Sequence, residues 1–174
     1  MIKGEKINLR VVRESDLETL FDFVSDIENR GHFFPIYLTS EAKFRQEFEE
    51  TGFWERDKGQ LLIVDEEDMI LGSIVFIRSI PYFDALEIGY IVFDQASRNQ
   101  GIMTEALSLF ARFLFETKKV NRLHLTVIVG NAASKRVAEK CGFKFEGVAR
   151  QAIFHRGKNL DLEWYALLRE EFGF

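Results

Sequence analysis

Arg98-Asn99-Gln100-Gly101-Ile102-Met103-Thr104-Glu105-Ala106 follows the β-like run Glu87-Ile88-Gly89-Tyr90-Ile91-Val92-Phe93 and opens a strongly helical segment. A strand, a short glycine-bearing loop and a helix start in that order present free backbone N–H groups and the positive end of a helix dipole, which suits phosphate oxygens. The loop has one glycine and no Gly-Lys-Ser/Thr, so it is neither a P-loop nor a dinucleotide fingerprint. Alone, it reads equally well as a polar strand-to-helix connection.

The next strand leads into a second such junction, Asn131-Ala132-Ala133-Ser134. It offers an amide and a hydroxyl at a helix start, although both residue types are also favoured there simply as caps.

Working outward, the patterning predicts a strand at 7–12 and a first helix with Leu17, Leu20, Phe21 and Val24 on one face, capped by Ser15 with Glu18 reaching back. A loop, Gly31-His32-Phe33-Phe34-Pro35-Ile36-Tyr37, leads to a helix over about 40–54 with Phe44 and Phe48 on one side. Strands are expected at 60–64, 70–77 and 85–93, then a helix over 101–116 that is apolar nearly all round. A strand at 122–129 and a helix at 132–140 stopped by Cys141-Gly142 precede two closing strands, 145–154 and 161–168. The order β-α-α-β-β-β-α-β-α-β-β predicts an α/β (α+β) fold, a mixed sheet of about seven strands with helices on both faces. Residues 1–174 show no repeat or composition break and read as a single domain.

Composition narrows the function. A net charge of −5 and a pI near 5.3 exclude a general nucleic-acid or anionic-membrane binder, and mildly favour a cationic partner. Cys141 is the one cysteine, and His32, His124 and His155 lack ligand-like spacing, so no metal site is expected. Without an apolar leader or long apolar run, the default setting is cytoplasmic. Cys141 closes a helix, where a thiolate gains no dipole support, so a packed, inert thiol is expected.

Taken in order and spacing, the two junctions and several further pieces resemble the GNAT superfamily of N-acetyltransferases, and within it the ribosomal-protein (Rim-type) branch. The further pieces are Ile7-Asn-Leu-Arg-Val-Val12, Ser15-Asp-Leu17, Glu87-Ile-Gly-Tyr90, Gly142-Phe143, Glu146-Gly147 and Gly157-x-x-x-Asp161-x-x-x-Tyr165. The resemblance covers nearly the whole chain and implies a splayed sheet with acetyl-CoA as co-substrate. Backbone groups of Ile91, Val92 and Phe93 would pair with the pantetheine arm. The amides of Arg98, Asn99, Gln100, Gly101, Ile102, Met103 and Thr104 would hold the pyrophosphate. Asn131 would hydrogen-bond the pantetheine, and Ser134 would sit by the sulfur. Many relatives use a Tyr on this short helix as the general acid; the matching residue here is Ala138, so Ser134 becomes the candidate donor to the leaving thiolate.

For a base the reading offers Glu87, whose alternative is a solvated strand residue, and less strongly His155. Counting from Ser134 puts Ile153 where Rim-type enzymes carry an acidic residue, which disfavours a ribosomal protein as acceptor. Met103 stands where the family loop usually ends in Gly or Ala, and the stretch from Tyr90 to Arg98 is one residue longer than usual. Phe33, Phe34, Pro35, Tyr37, Phe53 and Trp54 lie where the superfamily shapes its acceptor site, and equally suit core and loop anchoring. Phe33, Phe34, Tyr37 and Trp54 are the residues taken to contact the acceptor. The expectation is direct acetyl transfer, without metal, to a primary amine: a protein N-terminus or a small amine such as a polyamine, amino acid or antibiotic. The protein would work as a monomer or homodimer. A non-catalytic acyl-CoA-binding sensor or interaction module is the alternative, and a nucleotide-binding protein a third.

Overall fold

The structure is a computed structural model and describes residues 1–28, 31–93 and 97–173. Its strands are β1 (Ile2–Lys3), β2 (Asn8–Val11), β3 (Lys58–Val64), β4 (Ile70–Ile77), β5 (Ala85–Val92), β6 (Arg122–Ile128), β7 (Lys144–His155) and β8 (Lys158–Leu168). Helices α1 (Leu17–Ser25), α2 (Glu41–Thr51), α3 (Ile102–Thr117) and α4 (Ala132–Lys140) complete it, with 3-10 turns at Glu14–Asp16 and Arg169–Phe172. The strands form one sheet of eight in the order β1-β2-β3-β4-β5-β6-β8-β7. The sheet is thus one strand larger than the patterning predicts: β1 is two residues long, too short for an alternation to register.

The helices lie on both faces because each flank of the sheet is apolar. Alternation sends Leu61, Ile63, Ile74, Phe76, Leu86 and Ile88 to one side, where they bury against Ala106, Leu107, Phe110 and Leu114 of α3. Leu62, Val64 and Phe93 face the other way, onto Leu17 and Leu20 of α1 and Phe44 of α2. The end of α4 is closed by Gly142 in the left-handed region (φ 83°), with Gly142 N–H donating to Glu139 O and Phe143 N–H to Ala138 O. No helix among the described residues is long and apolar enough to cross a membrane.

Two local expectations are corrected. Ser15 does not cap α1. A 3-10 turn precedes the helix, and the Asp16 carboxylate accepts from Arg13 N–H at 2.7 Å and from both terminal nitrogens of Arg10 at 2.6 and 3.0 Å. Arg10 is only 4% exposed, and a buried guanidinium requires an anion within reach. The second helix stops at Thr51 rather than near Trp54, because Gly52 turns left-handed (φ 60°) and ends it.

The feature that positions the site is the junction of β5 and β6, the parallel pair in the sheet. Their register runs Ala85↔Arg122, Leu86↔Leu123, Glu87↔His124 and stops. β5 continues to Val92 along β4, and β6 to Ile128 along β8. The two strands therefore part beyond Glu87 and His124, leaving their inner edges unpaired with each other.

Candidate active site

At the wide end of this slot, the turn before α3 places two residues in the left-handed region, Asn99 (φ 61°) and Gly101 (φ 83°). Alternating handedness over successive residues turns their N–H groups to one side and makes an anion-binding concavity. Gly101 is the helix N-cap, and the amides of Ile102, Met103 and Thr104 in the first turn have no acceptor within α3. The side chains of Ile102 and Met103 are buried in the core, so a methionine at the end of the loop leaves the backbone cradle open. The Arg98 guanidinium lies 3.5 Å from Val92 O, at the end of β5. Residues 94–96, the middle of the long connection from Tyr90 to Arg98, lie outside the described residues.

Across the slot, Asn131 caps α4 by accepting Ser134 N–H on its side-chain oxygen at 3.2 Å. Cap and candidate pantetheine contact are thus one residue, since the Asn amide nitrogen retains its donors. The Ser134 hydroxyl is 2.8 Å from the hydroxyl of Tyr90 on β5. Burial pushes the Tyr90 phenol up to about 12. Ala138 is wholly buried one turn further along α4.

Glu87 stands where the β5–β6 ladder ends. Its carboxylate accepts from Thr126 Oγ1 at 2.8 Å and lies 3.7 Å from His124 Nε2. Burial alone would raise its pKa, but contacts with His124, Thr126 and Ser79 outweigh this and hold it below the ordinary carboxylate value. Trp164 of β8 stacks on His124 with ring centroids 5.2 Å apart. Among the described residues, the Nδ1 of His124 is the buried side-chain nitrogen or oxygen without a hydrogen-bond partner. Glu87 and Tyr90 are three apart on one strand and so face opposite sides of the sheet. Glu87 looks toward α1 and α2, and Tyr90 toward α3 and α4.

The start of the aromatic loop lies beside Arg98 and the end of β7. Gly31 lies beside Arg98, with a Cβ built there 3.9 Å from the guanidinium, and His32 O is 2.6 Å from His155 Nε2 at the end of β7. Phe33 and Phe34 are half-buried on this loop, and Tyr37 is exposed.

A model of the acetyltransferase (GNAT) domain matches residues 6–144. The chain belongs to the GNAT acetyltransferase family. The GNAT chain is 30% identical to the Bacillus subtilis protein described as "Probable N-acetyltransferase YjcK", covering 98% of each. It is 26% identical to the ribosomal-protein-serine acetyltransferase of Escherichia coli, over 94% of this chain and 93% of that one. Its fold matches a spermidine N-acetyltransferase from Vibrio cholerae, solved with CoA and spermine, with a TM-score of 0.84, 16% identity and 97% and 99% coverage. At that identity the likeness is one of fold.

Of the residues the sequence points to, this acetyltransferase brings Glu87, Ile91–Phe93, Arg98–Thr104, Asn131 and Ser134 around the slot, and Phe33, Phe34 and Tyr37 lie on the loop whose start neighbours Arg98. Trp54 is not among them. It packs on Phe76 and Phe113 with Lys118 above its ring, on the α3 face near the closed end of the slot. Phe53 is buried, between Phe44 and Phe48. His155 is 4% exposed and tied to the loop, an anchor for it. Cys141 is half-buried, donates to Thr104 O at 3.3 Å, and burial pushes its thiol up. Sequence reading missed Tyr90 as a partner of Ser134, and missed His124, Thr126 and Trp164 around Glu87. The signal for His124 and Thr126 was their shared alternation on β6, which gains meaning only with the register that sets them beside Glu87.

Proposed function

We propose that this GNAT acetyltransferase uses acetyl-CoA as donor and transfers the acetyl group directly to a primary amine. The observation that carries the proposal is the end of the β5–β6 ladder at Glu87 and His124, which opens a slot between two helix starts. The chain's residues fit the donor. The unpaired edge of β5 at Ile91–Phe93 suits an extended amide-bearing arm, and the concavity at Arg98–Thr104 suits a pyrophosphate. Asn131 reaches the arm, and Ser134 serves the sulfur.

Acetyl-CoA supplies the acetyl group as a thioester. Glu87, ionised and open to the α1–α2 face, favours a cationic acceptor nearby and takes up, through water, the proton that the neutral amine sheds as it attacks. A backbone N–H on the parting strands polarises the carbonyl under attack, and the Ser134 hydroxyl stabilises charge on the leaving sulfur. Phe33, Phe34 and Tyr37 wall the acceptor's approach. The acceptor is a protein N-terminus or a small cationic amine, which the net charge of −5 and Glu87 favour. Residues 1–174 are read as one catalytic domain, cytoplasmic, monomeric or homodimeric.

The test is thermal unfolding with acetyl-CoA, CoA and ATP, followed by turnover with an amine panel. A ligand at 100 times its Kd stabilises by about 2.7 kcal/mol. Acetyl-CoA and CoA should raise the Tm and ATP should not, and Gly101→Asp, compared with its own unliganded Tm, should lose the shift. Binding without turnover of any amine would leave a non-catalytic acyl-CoA module. No shift at all would overturn the reading.

A further inference from the structure

Tyr90 and Ser134 come from different elements, β5 and the first turn of α4, yet their hydroxyl oxygens sit 2.8 Å apart. Tyr90 Oη is also 3.4 Å from the Ser134 carbonyl, which only accepts. The Tyr90 ring packs against the α3 core, which fixes the phenol at this spot. Ala138, one turn along α4, brings no hydroxyl, so the phenol that reaches the serine arrives from the strand instead. A serine hydroxyl has one proton and rotates freely about its C–O bond. When the phenol donates to Oγ, the serine's own proton must point elsewhere, and the slot between β5 and β6 is where the acyl donor is placed above.

We infer that Tyr90 is a positioning residue for acetyl transfer: its hydroxyl donates to Ser134 Oγ and so aims the serine proton at the leaving sulfur. The inference rests on the reading of Ser134 given above. As the amine lone pair forms the new C–N bond, the C–S bond breaks and its electron pair goes to sulfur. The amine proton leaves on the Glu87 side, by way of water. An ordinary thiol has a pKa of about 8.5, far below that of the Tyr90 phenol, which burial pushes up to about 12. The phenol therefore keeps its proton. The Tyr90–Ser134 pair stabilises the thiolate by hydrogen bonding, and the thiolate afterwards takes its proton from water.

The test is Tyr90→Phe, which retains the ring and removes the hydroxyl, alongside Ser134→Ala and the double variant. One hydrogen bond of this kind corresponds to roughly a threefold to tenfold change in rate. Tyr90→Phe should lower kcat with acetyl-CoA by that factor and leave its KM within about twofold. The double variant should be no slower than Ser134→Ala. With an acetyl thioester of a nitrophenyl thiol, whose leaving group needs little help, the kcat/KM deficits of both single variants should shrink to about twofold or less. Wild-type kcat in Tyr90→Phe overturns the inference. So does a deficit equal for both donors, which would be structural, or one that adds to that of Ser134→Ala. Full activity in Ser134→Ala would instead remove the underlying reading, and with it the route by which Tyr90 acts.

Discussion

Glu87 meets the acceptor with its charge already fixed. Burial works to raise its pKa, but the contacts with His124, Thr126 and Ser79 hold it below its ordinary value of 4.5. A depressed pKa means the carboxylate is ionised at every pH above that value, so falling pH does not switch Glu87 off between 8 and 6. The acid limb of kcat/KM should therefore belong to the acceptor ammonium. Replacing the acceptor by an amine of pKa about one unit lower should move that limb down by about one unit. A limb that stays put would assign it to the enzyme. Glu87→Gln should cost about a hundredfold in kcat/KM if Glu87 is the base, the lower end for a general base. The identity of Glu87 as a candidate was visible in the sequence. Its state was not, because all three groups that set it come from other segments.

At the scale of elements, the slot depends on the path of β5, and that path depends on Gly72. The β3–β4 register shifts between Ile63 and Val64, so that Val64 opposes Ile70 while Ile63 opposes Gly72. Such a bulge sharpens the local twist. A Cβ at Gly72 would come 2.3 Å from Ile91 O, a backbone atom that yields only if the strand moves. Gly72→Ala should destabilise the protein by about 1–3 kcal/mol, as overpacking does, measured by chemical unfolding. It should also raise the KM for acetyl-CoA, because Ile91 begins the edge assigned to the pantetheine arm. Destabilisation with an unchanged KM would detach that edge from donor binding. Helix and strand identities were legible here because periodicity is local. The capping of α1 was not: Ser15-Asp-Leu-Glu18 has the spacing of a capping box, but a buried Arg10 claims Asp16 and resets the helix start.

For the whole molecule, Arg10 is the tie between distant parts. It joins β2 to the start of α1 through Asp16 and to the β3–β4 turn through Asp68, whose carboxylate lies 2.6 Å from Arg10 Nε. Removing one partner of a buried pair costs about 3–5 kcal/mol. Asp16→Asn should lose stability of that order at pH 7. Burial tends to raise Asp16, yet hydrogen bonds from Arg10 and Arg13 hold it below 3.8. Its contribution is then complete above 3.8 and fades as pH falls through the lower folded value. The stability gap between wild type and Asp16→Asn should accordingly narrow as pH falls below 3.8. A gap that does not narrow below that pH would make the loss one of packing rather than charge.

The sequence by itself determined the order of the elements and the two strand-to-helix junctions, the first with a helix start suited to an anion, since these rest on propensities and spacings within a dozen residues. It also supplied the family likeness, because Glu87, Gly101, Asn131 and Ser134 recur in one order along the chain. What the tertiary structure decided is who faces whom. Trp54 packs half-buried against the α3 face because Gly52 ended its helix and the chain turned onto β3. Tyr90 joined Ser134, and His124 and Thr126 joined Glu87, because strand register and the parting of β5 from β6 set their separations. Those distances are sums over the whole fold, and no local pattern of residues carries them.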